Sequence, residues 1–125
     1  MGVQSAKELV VYQKSYKLAM YIFEASKGFP DEERYALTSQ IRRSSRSVCL
    51  NLREAWAKRR YESHFISKLT DCGGEINETD TSFDFCKDCQ YIKSDQHAEL
   101  TFLCKEIGNM LGSMINNPNP FILNK

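Results

Sequence analysis

The chain of 125 residues contains no run of about 18 apolar residues, so no membrane-spanning helix is expected. Three Pro and six Gly are too few for a collagenous or low-complexity protein. No GxxxxGKS/T, GxGxxG or GxSxG pattern occurs, which removes the usual nucleotide-binding and hydrolase signatures. There are two His, and neither has a Glu three residues before it. A di-iron bundle, which takes two Glu-x-x-His sets, is therefore not expected. Five Cys is an odd number without the spacing of a secreted disulfide framework. Cys86-Lys87-Asp88-Cys89 is a single CxxC with no second pair, and His64, His97, Cys72 and Cys104 stand at no metal-ligand spacing from it. It also lacks the βαβ context of a redox motif, so ordinary reduced thiols are expected. No catalytic residue, metal or cofactor is expected. Met1 to Lys7 holds no apolar signal region, and a cytoplasmic location is expected.

An apolar fraction of 42% is enough for one packed domain, and 26% charged residues is ordinary. The formal net charge of +1 points to no partner, but its distribution is uneven. Residues 1–60 carry 12 Lys+Arg against 6 Asp+Glu, and residues 61–125 carry 5 against 10. Either basic and acidic helices neutralise each other, or the basic half meets nucleic acid.

Periodicity predicts four helices, over about 6–27, 31–58, 61–89 and 95–116. Ser5 and Glu8 have capping-box spacing before the first. That helix has one apolar stripe of Leu9, Tyr12, Tyr16, Ala19, Met20 and Phe23, and another of Val11, Leu18 and Ile22. Two such stripes suit two neighbours, in the same bundle or in another subunit. Gly28, Phe29 and Pro30 end it, and Asp31, Glu32 and Glu33 suit the positive end of the next. In the third helix Phe65, Leu69, Cys72, Ile76 and Phe83 share a stripe. Gly73 and Gly74 predict either close approach of a neighbour or a kink. Asp71, Glu75, Glu78, Asp80 and Asp84 make this helix acidic. Ser94 or Asp95 can cap the fourth, whose core stripe runs from Leu100 to Met114. The tail 121–125 is expected to be mobile. No strand is expected. The fold class is all-α, an antiparallel up-down-up-down four-helix bundle forming a single domain.

The second helix has two unlike faces. At about 100° per residue, Leu37, Ile41, Val48, Leu52 and Ala55 lie within roughly 60°, and Arg42, Arg46, Arg53 and Arg60 lie roughly 100–150° away. Arginine suits phosphate because its fork donates in pairs and stays charged. The candidate nucleic-acid-binding residues are Arg42, Arg43, Arg46, Arg53, Lys58, Arg59 and Arg60. Trp56 and Tyr61 near the basic end either stack on bases or, for Trp56, pack in a core or interface. Against this stands a solvated face paired to the acidic third helix. Lys58, Arg59 and Arg60 also complement the negative end of the helix dipole.

Leu37-Thr38-Ser39-Gln40-Ile41-Arg42-Arg43, followed by Ser47-Val48, Asn51 and Glu54, resembles the four-helix bundle proteins also called 23S rRNA intervening-sequence proteins. Val11-Tyr12-Gln13-Lys14, Arg59-Arg60, Phe65-Ile66, Glu78-Thr79 and Tyr91-Ile92 extend the likeness from about Leu9 to Met114. Many members have Pro at Cys49, Ala at Arg53 and Gly at Ala55. The second helix should thus be straighter here, and Arg53 is this chain's own. The resemblance implies a ring-like homo-oligomer, a pentamer, with no catalytic activity. Some members are encoded within insertions in the large-subunit rRNA gene, and a related retroelement accessory protein binds nucleic acid and a reverse transcriptase. Expected partners are copies of the chain itself, RNA or DNA, or another protein, and no membrane. The alternative is an interaction adaptor or structural oligomer without nucleic acid.

Overall fold

The computed structural model describes residues 2–123. Four helices form: α1 (Val10–Ser26), α2 (Leu37–Ala57), α3 (Glu62–Asp88) and α4 (Ser94–Asn116). No strand occurs among the described residues. Each helix packs on the next and α4 closes on α1, while the backbones of the diagonal pairs stay farther apart among the described residues. Side-chain pairs set the directions. Arg43 meets Glu75 and Glu78, whereas Glu54 meets Lys68, so α2 and α3 run antiparallel. Asp84 meets His97, and Gly108 lies beside Ile76, which gives the same relation for α3 and α4.

The bundle follows from helical phase. Ile41, Val48, Leu52 and Ala55 on α2 are buried, as are Phe65, Leu69, Cys72, Ile76 and Phe83 on α3 and Leu100, Cys104, Ile107, Leu111 and Met114 on α4. Burial of each large side chain contributes about 1.5–3 kcal/mol. On α1 the buried set is Val11, Leu18, Ala19 and Ile22, while Tyr16 and Met20 stay exposed. The shorter stripe is therefore the core face. Small residues let α2 approach its neighbours: Ser44 and Ser45 are buried, and Ser44 Oγ shares a 2.7 Å hydrogen bond with Thr79 Oγ1 of α3. Thr79 also donates to the Glu75 carbonyl (2.8 Å), so this buried pair leaves neither hydroxyl unsatisfied.

Several helix ends differ from the sequence expectation. The Ser5–Glu8 capping box forms, but it closes a separate 3₁₀ turn, Ala6–Glu8. Leu9 is extended (ψ 138°), and α1 starts after it. Asp31–Glu33 is likewise a 3₁₀ turn rather than the start of α2. Glu33 Oε1 accepts from the Leu37 amide (3.3 Å), satisfying a free donor from outside the helix. Neither Ser94 nor Asp95 is the N-cap of α4, because the helix begins at Ser94 itself. There Gln96 Oε1 reaches back to the Lys93 amide (2.9 Å). The third helix ends in a Schellman turn, with the Tyr91 amide donating to the Cys86 carbonyl (2.8 Å) and Gln90 at φ 65°.

Gly73 and Gly74 sit inside an uninterrupted α3, and a Cβ added at either would meet nothing within 4 Å. Neighbour approach thus does not account for them. The tail is docked as far as Leu123, whose amide donates to the Arg59 carbonyl (3.0 Å). Phe121 packs on Trp56 and Phe65. The expectation of mobility over 121–123 is corrected by these contacts, and residues 124 and 125 lie outside the described residues. No helix among the described residues is long and apolar enough to cross a membrane.

Candidate nucleic-acid interface

The rod that carries the arginines is continuous from Leu37 to Ala57, with no break at Cys49. Its unburied side holds Arg43, Arg46, Leu50 and Arg53. Packing of Ile41, Val48 and Leu52 into the core turns these positions outward, because residues on opposite faces of one helix cannot share an environment.

The structure divides the seven candidates. Arg43 is engaged by α3: its Nη1 lies 3.1 Å from Glu75 Oε2, and its Nη2 is bound by Glu78. Partial burial works against its charge, but Glu75 and Glu78 together hold the guanidinium above its usual range. Glu75 is half-buried and Glu78 exposed. Arg42 is half-buried, with Nε donating to Ser26 Oγ (2.7 Å) and its guanidinium 4.9 Å from the centre of the Phe23 ring. Arg46 is exposed and lies over the same ring at 5.7 Å. Arg59 is half-buried, stacked on Trp56 at 3.6 Å and donating from Nε to the Trp56 carbonyl (2.8 Å). Its burial lowers its pKa. Arg53, Lys58 and Arg60 are exposed, and none of them pairs with a carboxylate among the described residues.

Only Arg43 of the seven thus forms an ion pair among the described residues. The acidic third helix does lie against the basic second one: its Glu75 and Glu78 reach Arg43, while its Asp71 and Asp84 are used elsewhere. Lys68 of α3 takes Glu54 and Asp71, and Asp84 pairs with His97. Trp56 is covered by Phe121 and by the Arg59 guanidinium, so packing accounts for it. Tyr61 is exposed, and its ring lies tilted against that of His64 with the centroids 5.3 Å apart.

The Arg42–Arg46 end of the stripe lines a groove of about 680 Å³ between the end of α1, the connection 27–36 and the first half of α2. Lys27 and Arg34 join Arg42, Arg43 and Arg46 there, with Asp31 as the one acidic lining residue. Lys27 and Arg34 escaped the sequence reading because they stand off the helical phase of α2. Their only trace in the sequence was the basic excess of the first 60 residues.

Cys86 is buried and Cys89 exposed, all five cysteines are free, and the described residues contain no grouping of three or more His, Cys, Asp or Glu able to hold a metal ion.

An antiparallel four-helix bundle with one arginine-rich face defines the class of protein. Within that class, the sequence model for 23S rRNA-intervening sequence proteins matches residues 7–113, and the chain belongs to that family. A crystal structure of a protein of unknown function from the S23 ribosomal protein family of Bacteroides thetaiotaomicron VPI-5482 is similar to it. The two share 30% identity with a TM-score of 0.78, over 86% of this chain and 96% of that one. No curated protein matches the chain.

Proposed function

We propose that this protein is a non-enzymatic, homo-oligomeric bundle that binds the backbone of RNA or DNA through the outer face of α2. The observation that carries the reading is the gathering of Arg42 and Arg46 on the single Phe23 ring, with no carboxylate paired to either among the described residues. Like charges at i,i+4 weaken a helix by about 0.2–0.5 kcal/mol. An anion that accepts from both removes that repulsion and uses the paired donors of each guanidinium. Arg53 extends the same stripe two turns on, about 10.5 Å along the axis. Lys58 and Arg60 lie beyond it. In a ring, such as the pentamer the family likeness suggests, one stripe per subunit multiplies weak contacts into avidity. Exposed Val10, Tyr16 and Met20 on α1 offer apolar surface for the subunit contact. The compartment proposed is the cytoplasm.

A salt titration of binding to a generic RNA oligonucleotide tests this. Binding at low salt should weaken as salt rises, with a slope of about −0.7 in log–log form per phosphate neutralised on a single strand. Absence of binding at low salt, or binding indifferent to salt, would overturn the reading. A second reading, a protein-interaction adaptor, draws on Leu50, which is 64% exposed between Arg46 and Arg53. Charge reversal at Arg46 and Arg53 separates the two. Lost RNA binding with intact assembly favours the first, and a dissolved oligomer favours the second.

A further inference from the structure

We propose that the groove at the α1–α2 end takes an unpaired nucleotide, with the base stacked on Tyr35 and its flanking phosphates held by Arg34 and Arg46, so that the protein selects single-stranded over duplex nucleic acid. This rests on the backbone-binding reading and adds a ligand class to it.

Tyr35 is 87% exposed, more than any other large hydrophobic side chain among the described residues. Its ring has no stacking partner and its hydroxyl no hydrogen bond among those residues. Contacts of the fold do not explain an aromatic held in that position. It stands in the turn just before α2 and lines the basic groove together with Arg34 and Arg46. Neither arginine pairs with a carboxylate among the described residues. Arg42, pinned to Ser26 and Phe23, and Arg43, held by Glu75 and Glu78, are ordered cations in the same groove.

The chemistry of this combination is specific. Flat rings beside cations are how proteins hold single strands, since every unpaired base offers a π-face and every nucleotide a phosphate. A duplex keeps its base faces stacked inside and gives Tyr35 nothing to bind. The groove volume of about 680 Å³ falls within the range of about 300–1,000 Å³ of small-ligand sites, room for a base with its sugar. An acidic peptide would meet the same cations but would make no use of a bare ring face.

The test measures binding of the full chain to a short mixed-sequence RNA, alone and annealed to its complement, at one low salt concentration. Wild type, Tyr35→Ala and Tyr35→Phe are compared. The wild type should prefer the single strand. Tyr35→Ala should lose roughly 5- to 150-fold on that strand, the equivalent of one stacked base at about 1–3 kcal/mol, and keep its duplex affinity. Tyr35→Phe should retain single-strand binding. Circular dichroism should show all three folded alike, because the ring is exposed. Unchanged single-strand affinity in Tyr35→Ala, or an equal loss on both probes, overturns this inference and leaves the backbone reading standing. A wild type that binds neither probe overturns both.

Discussion

Arg43 is the candidate whose availability the fold restricts, so releasing it is the sharpest perturbation of the proposed surface. Glu75 lies 3.1 Å from one terminal nitrogen of its guanidinium, and Glu78 binds the other. Glu75→Gln with Glu78→Gln keeps the side-chain shapes and removes both charges. Four cations on the exposed stripe, Arg46, Arg53, Lys58 and Arg60, form no ion pair among the described residues, although Glu54 attracts Lys58 at longer range. If these four each neutralise a phosphate, the single-strand salt slope is about −2.8, and a freed Arg43 takes it to about −3.5. Stability should fall by no more than about 1 kcal/mol, since Arg43 and Glu78 are exposed and Glu75 is only half-buried. The assay is a salt titration of RNA binding beside a thermal melt. Asp88→Asn with Glu99→Gln, two exposed acids that form no ion pair among the described residues, controls for net charge. That control should raise affinity at low salt without adding a contact, so its slope should stay near the wild-type value. An unchanged slope in the Glu75/Glu78 variant, or the same change in the control, would refute the assignment of Arg43 to the edge of a docking surface.

Three further outcomes are expected. Gly74→Ala should stabilise the protein by about 0.5–1 kcal/mol, because an added Cβ meets open space inside a helix; at about 2.1 cal/mol/K per residue this is a rise of about 2–4 °C in Tm, and a fall would contradict it. Burial pushes the Cys49 thiol up to about 11 and those of Cys72, Cys86 and Cys104 up to about 12. One thiol, exposed Cys89, should therefore react quickly with a disulfide reagent in the native protein and five after denaturation; a second fast native thiol would contradict this. Burial, with the charge of Asp84 adding to it, raises the Asp80 pKa. The folded state then binds this proton more tightly than the unfolded chain, so Asp80 lowers stability as pH climbs past the ordinary carboxylate range. Asp80→Asn should raise the urea midpoint at neutral pH and lose that advantage in acid, and an advantage that persists in acid would count against the burial argument.

The two faces of α2 were legible in the sequence. Ile41, Val48, Leu52 and Ala55 share a helical phase and are buried, and Arg46 and Arg53 share another and are exposed. That information is one-dimensional, carried by the 3.6-residue repeat and the apolarity of each side chain. Helix ends were less legible, because Asp31–Glu33 and Ala6–Glu8 have helix-start chemistry yet each closes only one 3₁₀ turn. The capping groups satisfy local donors whether or not a long helix follows.

Pairing across helices had no such signature. Antiparallel register puts Glu75 and Glu78 beside Arg43 and leaves Arg53 in no ion pair among the described residues. The path of the connection brings Lys27, Arg34 and Tyr35 to the first turns of α2, and the returning tail lays Phe121 on Trp56. Phase along a single helix is set by neighbouring residues, whereas contact between distant ones depends on register and loop path, which emerge only when the whole core packs.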